Sequence, residues 1–500
     1  MAPARPKVTV MPASADILLV AVNARYGHCS FAARTLLANA GVPAGRIAIL
    51  EADLDIQPFQ LAADIVARHP RLAGFSVYLW NRAIVREALS ILCRIAPDLH
   101  VVLGGPEIVA DDTSAWNALA DYLVIGEGEG AFREICTDFV VSHLGRAGPP
   151  DPPEKDGACS ARALPILIST PPEDLSALAL PYELYSDDDI AHRTLFVESS
   201  RGCPFRCVYC TSCGTPVRLV PLEKLLSEFD RLLARGVRAF RFLDRSFNAV
   251  EEHACAVLDF FLARYPERLA LHFEIMPRKL GVALRQRLAA FPPGVLHLEV
   301  GVQTLDAEVA RRIGRPADIS VALETLQFLM REARATVHAD LIFGLPGETL
   351  ASFAAGFDKL VREYNPPELQ VNLLKRLPGT PLAHDPRFNL LVFNPHPPYE
   401  LLASDVLDFD AIVRLQRFAR CWDLVHNRGR FPRTSARLCL AEDTSPFARF
   451  LALAERIQNA EGRLHALGMT RLSAHLAAFL ESDCGISTDE ALALVAADRE

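Results

Sequence analysis

The amino-acid sequence predicts an α/β protein in three parts: an N-terminal doubly wound parallel sheet of the Rossmann or flavodoxin type, a central partial (β/α)6 barrel of the TIM type, and a helical C-terminal domain. Three observations predict this fold class. Short apolar runs alternate with helical stretches over residues 17–125, a second alternation begins at residue 194, and the pattern beyond residue 394 is almost wholly helical. Such alternation is typical of parallel sheets, because each strand needs a crossover to return to the same edge.

The first alternation contains five apolar runs short enough to be strands. These strands are predicted at residues 17–22, 47–50, 72–78, 100–103 and 122–125, with helices at 31–40, 59–68 and 84–96. Polar or glycine-rich loops follow the strand ends at residues 23–28, 80–82, 104–107 and 126–129. Open α/β sheets bind ligands beyond the carboxyl ends of their strands, so these loops are candidate binding segments.

A stretch rich in glycine and proline at residues 145–153 has the composition of a semi-rigid linker. It predicts a first domain over residues 1–145, a linker over 146–180, the barrel over 181–394 and the helical domain over 395–500. The six barrel strands are predicted at residues 195–199, 239–243, 271–275, 296–300, 338–342 and 368–373. Long amphipathic runs in the last part predict helices at residues 411–427, 446–467 and 470–480.

The composition excludes several classes of protein. The net charge of -9 argues against a nucleic-acid binder that works by phosphate neutralisation. No run approaches the ~18 apolar residues of a membrane span, and the basic N-terminal residues are not followed by the apolar segment of a secretory signal. We therefore expect a cytoplasmic protein.

Three closely spaced cysteines, Cys203, Cys207 and Cys210, form a C-x3-C-x2-C cluster directly after the first barrel strand. A cubane iron-sulfur cluster that only carries electrons takes four thiolates, so a set of three leaves one iron open for another ligand. Cys213 follows at the same spacing as the last pair. It leaves open a zinc site or a closed four-thiolate cluster.

The cysteine spacing and its context resemble the radical S-adenosylmethionine (radical SAM) superfamily. That resemblance implies a [4Fe-4S] cluster on Cys203, Cys207 and Cys210 whose open iron is chelated by S-adenosylmethionine (SAM). One electron from the cluster then cleaves SAM to a 5'-deoxyadenosyl radical. Tyr209 matches the aromatic position that family members place against the adenine of SAM.

Segments after three further barrel strands extend the resemblance. Asp244 stands where many relatives carry a Gly-Gly-Glu segment that binds the SAM amino group. The Glu-Val-Gly-Val-Gln-Thr segment resembles the fourth-strand motif of the coproporphyrinogen-oxidase-like branch, and the Asp-Leu-Ile-Phe-Gly-Leu-Pro-Gly-Glu segment resembles the fifth-strand adenine contact. The SAM contacts implied by these two segments and the helix between them are Glu299, Gln303, Arg311, Ile342 and Gly344.

The first domain resembles the cobalamin-binding domain that precedes the barrel in a large radical SAM subfamily. The D-x-H-x-x-G motif that places a histidine on cobalt is missing, so cobalamin is expected without a protein histidine beneath it. The segment from residue 407 to 423 resembles the uncharacterised helical domain of one branch. The cobalamin contacts implied by the resemblance are Asn23, Tyr26, Ser76, Tyr78, Gly104, Gly105, Glu107, Gly126 and Glu127.

Taken together, the resemblance implies a cobalamin-dependent radical SAM enzyme that transfers a methyl group to an unactivated carbon of a small-molecule substrate. It also implies an external electron donor of the flavodoxin or ferredoxin type. Two other functions share these parts. One is radical cyclisation or rearrangement without methyl transfer, and the other is a non-catalytic iron-sulfur electron carrier.

Overall fold

The computed structural model describes residues 9–10, 15–25, 27–144, 164–265, 267–440 and 445–499. Two compact units comprise residues 1–201 with 218–243 and residues 202–217 with 244–500. Tyr26, one of the residues implied to contact cobalamin, and the first half of the predicted linker lie outside the described residues. Within the described ranges, no helix has both the length and the apolar composition that crossing a lipid bilayer requires.

The first unit contains a seven-stranded sheet that is parallel except for its first strand, which pairs antiparallel. In chain order its elements are β1 (Thr9–Val10), β2 (Ile17–Asn23), α1 (Phe31–Asn39), β3 (Ile47–Asp53), α2 (Pro58–Val66), β4 (Leu72–Ser76), α3 (Arg82–Ile95), β5 (His100–Gly104), β6 (Tyr122–Ile125), α4 (Glu129–Phe139) and β7 (Ile166–Ser169). The strand order is β1-β3-β2-β4-β5-β6-β7. Its central part has the flavodoxin-like strand order. The chain places β3 on one side of β2 and then β4, β5 and β6 on the other side, so the point of reversal lies between β2 and β4.

Both faces of this sheet are covered, which explains why its strands are apolar throughout. One core cluster joins the sheet to α2 and α3 and contains Leu61, Val85 and Trp116. The other joins it to α1 and α4 and contains Ala33 and Phe132. All five strands predicted for the first domain are confirmed.

Strand β7 lies within the stretch predicted as linker. It pairs in parallel with β6, from Tyr122↔Ile166 to Ile125↔Ser169. Ile166 and Leu167 remain exposed. A four-residue segment of three apolar residues and a serine, set among prolines, carries little strand signal by itself, and its pairing partner lies more than forty residues away along the chain.

The second alternation forms the six strands predicted for the barrel, together with an additional short pair beside the cysteines. In the first unit, β8 (Leu195–Val197) pairs in parallel with β11 (Ala239–Phe242). In the second unit, four strands pair in parallel in chain order. The other elements are α5 (Asp187–His192), β9 (Ser200–Cys203), β10 (Thr215–Leu219), α6 (Leu222–Ala234), α7 (Glu251–Ala263), β12 (Ala270–Ile275), α8 (Val282–Ala290), β13 (Leu296–Gln303), α9 (Ala307–Arg312), α10 (Ile319–Arg331), β14 (Thr336–Phe343), α11 (Leu350–Lys359) and β15 (Glu368–Leu373).

Burial alternates strictly along β12 and β13 in the second unit. In β13, Leu298 and Val300 are buried, whereas His297, Glu299 and Gln303 are partly exposed. Period-two alternation means that one face packs against helices while the other presents polar side chains. These strands therefore have one buried, apolar face and one polar inner face.

The C-terminal part is helical, as predicted, and packs against the last barrel strand. The indole of Trp422 and the amide of Asn427 both donate to the carbonyl of Leu369, and the Leu369 N–H donates to Asn427 Oδ1. These bonds satisfy part of an open sheet edge. The elements are α12 (Pro381–His384), β16 (Val392–Phe393), β17 (Leu401–Ala403), α13 (Phe409–Trp422), α14 (Pro432–Leu440), α15 (Pro446–Glu461), α16 (Met469–Cys484) and α17 (Thr488–Ala497).

One predicted boundary in this part was wrong. The run predicted as a helix to residue 467 ends at Glu461, because Gly462 adopts φ +68° and caps it. A left-handed glycine directly after a helix satisfies its last carbonyls and stops its propagation.

Candidate active site

The cysteine loop begins at the end of β9, where two chain segments come very close. Gly202 has φ +102°, and a Cβ atom there would overlap the carbonyl oxygen of Pro216. The N–H of Cys203 donates to Thr215 Oγ1 at 3.0 Å. Glycine is therefore required before the first cysteine because no side chain fits between the two segments.

Two consecutive turns carry the remaining cysteines of the loop. The N–H of Cys210 donates to the carbonyl of Cys207 at 3.1 Å, and the N–H of Cys213 donates to that of Cys210 at 3.2 Å. In turns of three residues, side chains three apart point the same way. The N–H of Ser212 also donates to the sulfur of Cys210 at 3.4 Å. Burial raises the pKa of this thiol, and the bond from Ser212 offsets part of that rise. Cys213 therefore lies in the same loop as the predicted trio.

Two other segments hold this loop in place. The N–H of Val208 donates to the carbonyl of Ile313, and the N–H of Leu382 donates to the carbonyl of Val208. Gly314 has φ +77°, and a Cβ atom there would overlap the carbonyl oxygen of Arg206. The end of α9 and the start of α12 thus clamp the cysteines from both sides. Sequence reasoning did not identify Gly314, although an isolated glycine after a short helix is a signal of such a close approach.

One partly buried arginine contacts the cysteine loop directly. Nη1 of Arg315 lies 3.6 Å from the sulfur of Cys207, and its guanidinium lies 4.9 Å from the centre of the Phe205 ring. Burial lowers the pKa of Arg315, but the neighbouring Tyr209 and Cys207 raise it more, so the group stays cationic. At Tyr209, by contrast, burial raises the pKa of the phenol. Sequence reasoning also missed Arg315, which lies just beyond the helix that it had considered.

The arginine that sequence reasoning chose lies elsewhere on α9. Arg311 is exposed and pairs with Glu308 one turn earlier on the same helix. Its guanidinium is therefore held by a carboxylate of its own helix. Arg315, four residues later, is the arginine that the structure places beside a cysteine sulfur.

The end of β13 is distorted at the predicted SAM contact. Gln303 adopts φ +72°, and the pairing with β14 is interrupted by a bulge between Gly301 and Gln303. A positive φ in a residue other than glycine costs free energy and is concentrated at functional sites. Glu299 lies four residues earlier on the same inner face, with a carboxylate oxygen 3.5 Å from His272 Nε2.

The end of β14 carries the other predicted contacts. Ile342 is partly exposed on the inner face, and Gly344 adopts φ +81° where a Cβ atom would press on Leu401. Asp340, on the same face, lies 3.3 Å from His338 Nε2. Burial lowers the pKa of His338, but Asp340 and the nearby Glu368 outweigh it and raise that pKa to about 9.

A buried hydrogen bond joins the ends of these two strands. Thr304 Oγ1 donates to Glu348 Oε1 at 2.6 Å, and the N–H of Asp306 donates to Thr304 Oγ1. Glu348 is 2% exposed, and its other carboxyl oxygen has no hydrogen-bond partner among the described residues. Burial raises the pKa of Glu348 to about 8, so the side chain is uncharged at neutral pH.

The residue predicted after β11 is also buried. Asp244 is fully buried, and Ser246 Oγ lies 3.5 Å from the carbonyl oxygen of Gly202, next to the first cysteine. The structure therefore brings together, in the second unit, the cysteine loop and the segment that follows β11.

In the first unit, the loop after β2 is tied to the end of β3. One carboxylate oxygen of Glu51 accepts from Asn23 Nδ2 at 3.0 Å and from the N–H of Ser30 at 2.5 Å. The other accepts from Arg34 at 3.0 Å and Arg193 at 3.3 Å. The side chain of Asn23, predicted to contact cobalamin, is thus held in place by Glu51.

This carboxylate belongs to a buried ion network that extends to α5. Arg34 is fully buried and also pairs with Asp189 at 3.0 Å. Burial raises the pKa of Asp189, but the charge of Arg34 and hydrogen bonds from Ser186 lower it more. Cys29 donates to Asp189, and burial raises the pKa of that thiol to about 12. His28, next to Cys29, packs its ring edge-on against Phe196.

A stacked aromatic pair follows β4. The rings of Tyr78 and Trp80 lie 4.4 Å apart and 7° from parallel, and Trp80 is 46% exposed. The indole N–H donates to the carbonyl of Val22, and buried Asn81 donates to the carbonyls of Val22 and Ser76. Two neighbouring strand ends therefore fix a flat aromatic surface at the edge where ligands bind.

The predicted glycines of this edge serve two different purposes. Gly105 has φ +103° and approaches the backbone of Val77, and Gly126 has φ +99° and approaches Thr170. These two positions exclude a side chain because of contacts within the protein. At Gly104, by contrast, an added Cβ atom would meet only ordinary contacts.

The predicted glutamates of this edge are engaged in ion pairs. Glu107 is buried and lies 3.1 Å from Arg82. Glu127 pairs with Arg201 at 3.1 Å and with Arg218. Burial raises the pKa of Glu127, but these arginines lower it more. Both carboxylates are therefore occupied by protein partners.

Comparison with known proteins assigns most of the chain to three family models. Residues 29–136 match the B12 binding domain, residues 197–360 match the radical SAM superfamily, and residues 388–498 match a protein family of unknown function, DUF4080.

Two curated relatives are methyltransferases. The 2-(S-pantetheinyl)-carbapenam-3-carboxylate methyltransferase of Streptantibioticus cattleyicolor is 26% identical over 65% of this chain and 49% of its own length. The cobalamin-dependent radical SAM methyltransferase TokK of Streptomyces tokunonensis is 26% identical over 65% of this chain and 50% of its own length. The chain thus spans about half the length of the curated relatives it matches.

A solved structure shares the fold over nearly the whole chain. It is the cobalamin-dependent SAM radical enzyme OxsB with aqua-cobalamin and SAM bound, which aligns with a TM-score of 0.61 at 13% identity. The alignment covers 97% of this chain and 83% of that one. The predicted fold class is confirmed.

Proposed function

Because the chain belongs to the radical SAM superfamily, in the subfamily that carries a B12-binding domain before the radical SAM domain, we propose that it is a cobalamin-dependent radical SAM methyltransferase acting on an unactivated carbon of a small molecule. The observation that carries this proposal is the clamped loop that presents Cys203, Cys207 and Cys210 from the end of β9. A cytoplasmic location and an electron donor of the flavodoxin or ferredoxin type belong to the same proposal.

The three cysteines fit a [4Fe-4S] cluster. They lie in one loop, and the backbone N–H of Ser212 already points at the sulfur of Cys210, as hydrogen bonds to cluster sulfurs do. When bound, such a cluster supplies the electron that cleaves SAM to methionine and a 5'-deoxyadenosyl radical. The clamps from Ile313 and Leu382 keep the loop rigid, so that little reorganisation accompanies electron uptake.

The residues around this loop fit SAM. Arg315 is a partly buried cation beside Cys207, suited to pair with the SAM carboxylate by a charge-assisted bond. We assign this role to Arg315. The residues assigned from the sequence to the methionine moiety of SAM remain Glu299, Gln303 and Arg311. Gln303 supports the assignment by its strained backbone.

The remaining SAM contacts belong to the adenine and to the amino group. Tyr209, Ile342 and Gly344 are assigned to the adenine, and the positive φ of Gly344 lets the backbone there approach a ligand. Buried Asp244 is assigned to the SAM amino group. A carboxylate buried at this position favours a cationic partner.

The first unit fits cobalamin by shape more than by charge. The stacked Tyr78 and Trp80 present a flat aromatic surface to a flat macrocycle. At Gly104, an added Cβ atom would meet only ordinary contacts, so the backbone there is not crowded. When bound, cobalamin supplies the methyl group. The carboxylates of Glu107 and Glu127 are held by arginines, so these residues are assigned a backbone role. The rest of this sheet edge is formed by Asn23, Ser76, Gly105 and Gly126.

Anaerobic turnover with methyl-labelled SAM tests this function. Methyl transfer yields S-adenosylhomocysteine together with 5'-deoxyadenosine, because one SAM molecule supplies the methyl group and another supplies the radical. Formation of 5'-deoxyadenosine alone would establish cyclisation or rearrangement instead. Failure to consume SAM after dithionite reduction of iron-loaded protein would exclude both enzymatic readings.

A specific observation favours the electron-carrier alternative. Cys213 lies one turn beyond Cys210 in the same loop and could complete a four-thiolate cluster. The variant Cys213→Ala separates the two functions. Retention of the cluster, with a spectrum that SAM perturbs, supports the enzyme, whereas loss of the cluster supports the carrier.

A further inference from the structure

One carboxylate binds both of the strands that support the cysteine loop. Arg201 lies in β9, just before the first cysteine, and Arg218 lies in β10, after the last one. Glu127 Oε2 accepts from Nη1 of Arg201 and from Nη1 of Arg218, each at 3.1 Å, and Glu127 Oε1 accepts from Nη2 of Arg218. The two strands also pair with each other. Glu127 therefore ties together the base of the loop that carries the cysteines.

Arg201 is bound on three sides of its guanidinium group. Nε donates to the two carboxylate oxygens of Glu198 at 3.0 and 2.9 Å, Nη1 donates to Glu127, and Nη2 donates to Glu129 Oε1 at 2.6 Å. The side chain of Arg201 is 15% exposed, so water screens these bonds less than it screens a surface pair. An arginine with three such partners is restricted to one position, which restricts the backbone that leads from it into the cysteine loop.

Glu127 is also held by groups other than the two arginines. The N–H of Glu173 donates to Glu127 Oε2 at 2.9 Å, and Thr170 Oγ1 donates to the backbone carbonyl of Glu127 at 2.6 Å. Gly126, the preceding residue, has φ +99°, and a Cβ atom there would overlap Thr170. The position of the carboxylate is thus set by the first sheet and its loops, and the arginines bind to a group that is already in place.

We propose that Glu127 is a positioning residue for the iron-sulfur cluster: its carboxylate binds Arg201 and Arg218 together and thereby fixes the two strands that present the cysteines. It acts through these arginines and the backbone between them. This role of the side chain is separate from the backbone role that we assigned to Glu127 toward cobalamin. The inference rests on the proposed function, because it requires the cluster to be present.

The test replaces Glu127 by glutamine, which keeps the size of the side chain and removes its charge. The amide has one acceptor oxygen in place of two, so it cannot bind both arginines as the carboxylate does. The cysteines are unchanged, and we expect the reconstituted Glu127→Gln protein to keep the iron content of the wild type.

The expected change is in the geometry of the site. We expect the electron paramagnetic resonance spectrum of the dithionite-reduced cluster with SAM to show more than one species in Glu127→Gln, because a loosened loop holds the cluster in more than one arrangement. The kcat for SAM cleavage should fall by about tenfold or more with a smaller change in KM, since groups that orient metal ligands are worth about 10- to 100-fold.

A matched control alters another glutamate of the first unit that pairs with an arginine. Glu228, in α6, is 14% exposed, compared with 24% for Glu127, and it lies 2.6 Å from Arg231. We expect Glu228→Gln to keep the wild-type spectrum and the wild-type kcat. An equal change in the two variants would overturn the proposal, because it would reflect a general loss of stability.

A second variant decides the outcome if Glu127→Gln does not retain iron. Arg218→Gln releases β10 and leaves Arg201 bound, so we expect the same change of spectrum in weaker form. Loss of iron from Arg218→Gln as well, with full iron in Glu228→Gln, also supports the proposal, because both changes act on the same pair of strands. A wild-type spectrum and kcat in the variant that retains iron overturns it. Failure of the proposed function would appear differently, as a wild-type cluster whose spectrum SAM does not change.

Discussion

The cysteine loop of the second unit and the strand-end loops of the first unit present two different kinds of candidate site. Around the cysteines, the functional groups are side chains: three thiols and the partly buried cation of Arg315. At the edge of the first sheet, Glu51, Glu107 and Glu127 are all engaged by arginines, and what remains is the stacked pair of Tyr78 and Trp80 with backbone around it.

This difference follows from the ligands that we assign to the two sites. A metal cluster is held by a few strong bonds to particular side chains, so its site appears as a residue pattern. A large, flat cofactor is held by many weak contacts and by shape. Its site needs a rigid framework, which the buried ion pairs supply, and few diagnostic residues.

The largest effect is expected in the cysteine loop. Cys207→Ala removes one of three thiolates, so we expect the reconstituted protein to lose its cluster and its 5'-deoxyadenosine formation to background. Iron analysis and the visible absorbance spectrum measure the change. The control is Cys255→Ala, which alters a buried cysteine of α7. A Cys207→Ala variant with full iron content would contradict the assignment of the loop.

The ion network of the first unit should show the next largest effect. Arg34→Ala leaves the carboxylates of Glu51 and Asp189 buried without their main partner. Breaking a buried pair in this way costs about 3 to 5 kcal/mol. Denaturant unfolding of the first unit, followed by circular dichroism, measures the loss.

An exposed pair provides the comparison for this value. Arg231 lies at the surface and pairs with Glu183 and Glu228. Arg231→Ala should cost at most about 1 kcal/mol, since solvent screens exposed pairs. Equal losses in the two variants would show that the buried network does not support the site.

A smaller effect is expected where β13 and β14 are joined. Thr304→Val removes the hydroxyl that donates to Glu348 Oε1, which leaves the carboxyl group buried without that bond. Such a loss costs about 1 to 3 kcal/mol. The melting temperature and the affinity for SAM should both fall, and Thr304→Ser should restore them.

The buried carboxyl group of Glu348 also predicts a pH dependence of the protein's stability. Burial raises the pKa of Glu348 from 4.5 to about 8, so the folded protein binds a proton that the unfolded chain releases within this range. Stability therefore decreases as pH rises from about 4.5 to about 8. Glu348→Gln should lose this part of the slope. An unchanged slope in that variant would mean that the carboxyl group is ionised in the folded protein.

The smallest effect is expected at the aromatic surface of the first unit. Trp80→Ala removes one ring of the stacked pair, and we expect a loss of about 1 kcal/mol, or roughly fivefold in the cobalamin Kd. Absorbance titration with cobalamin measures the affinity, and iron content should not change. Phe59→Ala, at an exposed position of α2, is the control. A greater loss in the control than in Trp80→Ala would refute the assigned surface.

The two regions also differ in how far sequence reasoning could predict them. The strands of the first sheet were recognisable because burial on both faces makes them continuous apolar runs, as in Ile17–Asn23. Strand β7 was not, because its strand character comes from pairing with β6 and not from its own residues. The end of α15 required the left-handed conformation of Gly462, which a local pattern does not reveal.

By itself, the sequence determined that three thiols lie close together, because the spacing of Cys203, Cys207 and Cys210 keeps them within two short turns. Only the tertiary structure decided which arginine stands beside Cys207. Arg311 and Arg315 lie four residues apart, yet the first pairs with Glu308 at the surface and the second packs over the ring of Phe205. The same holds for Glu127, whose partners Arg201 and Arg218 come from distant parts of the chain. Charge pairing depends on which groups meet in space, and only the folded chain brings them together.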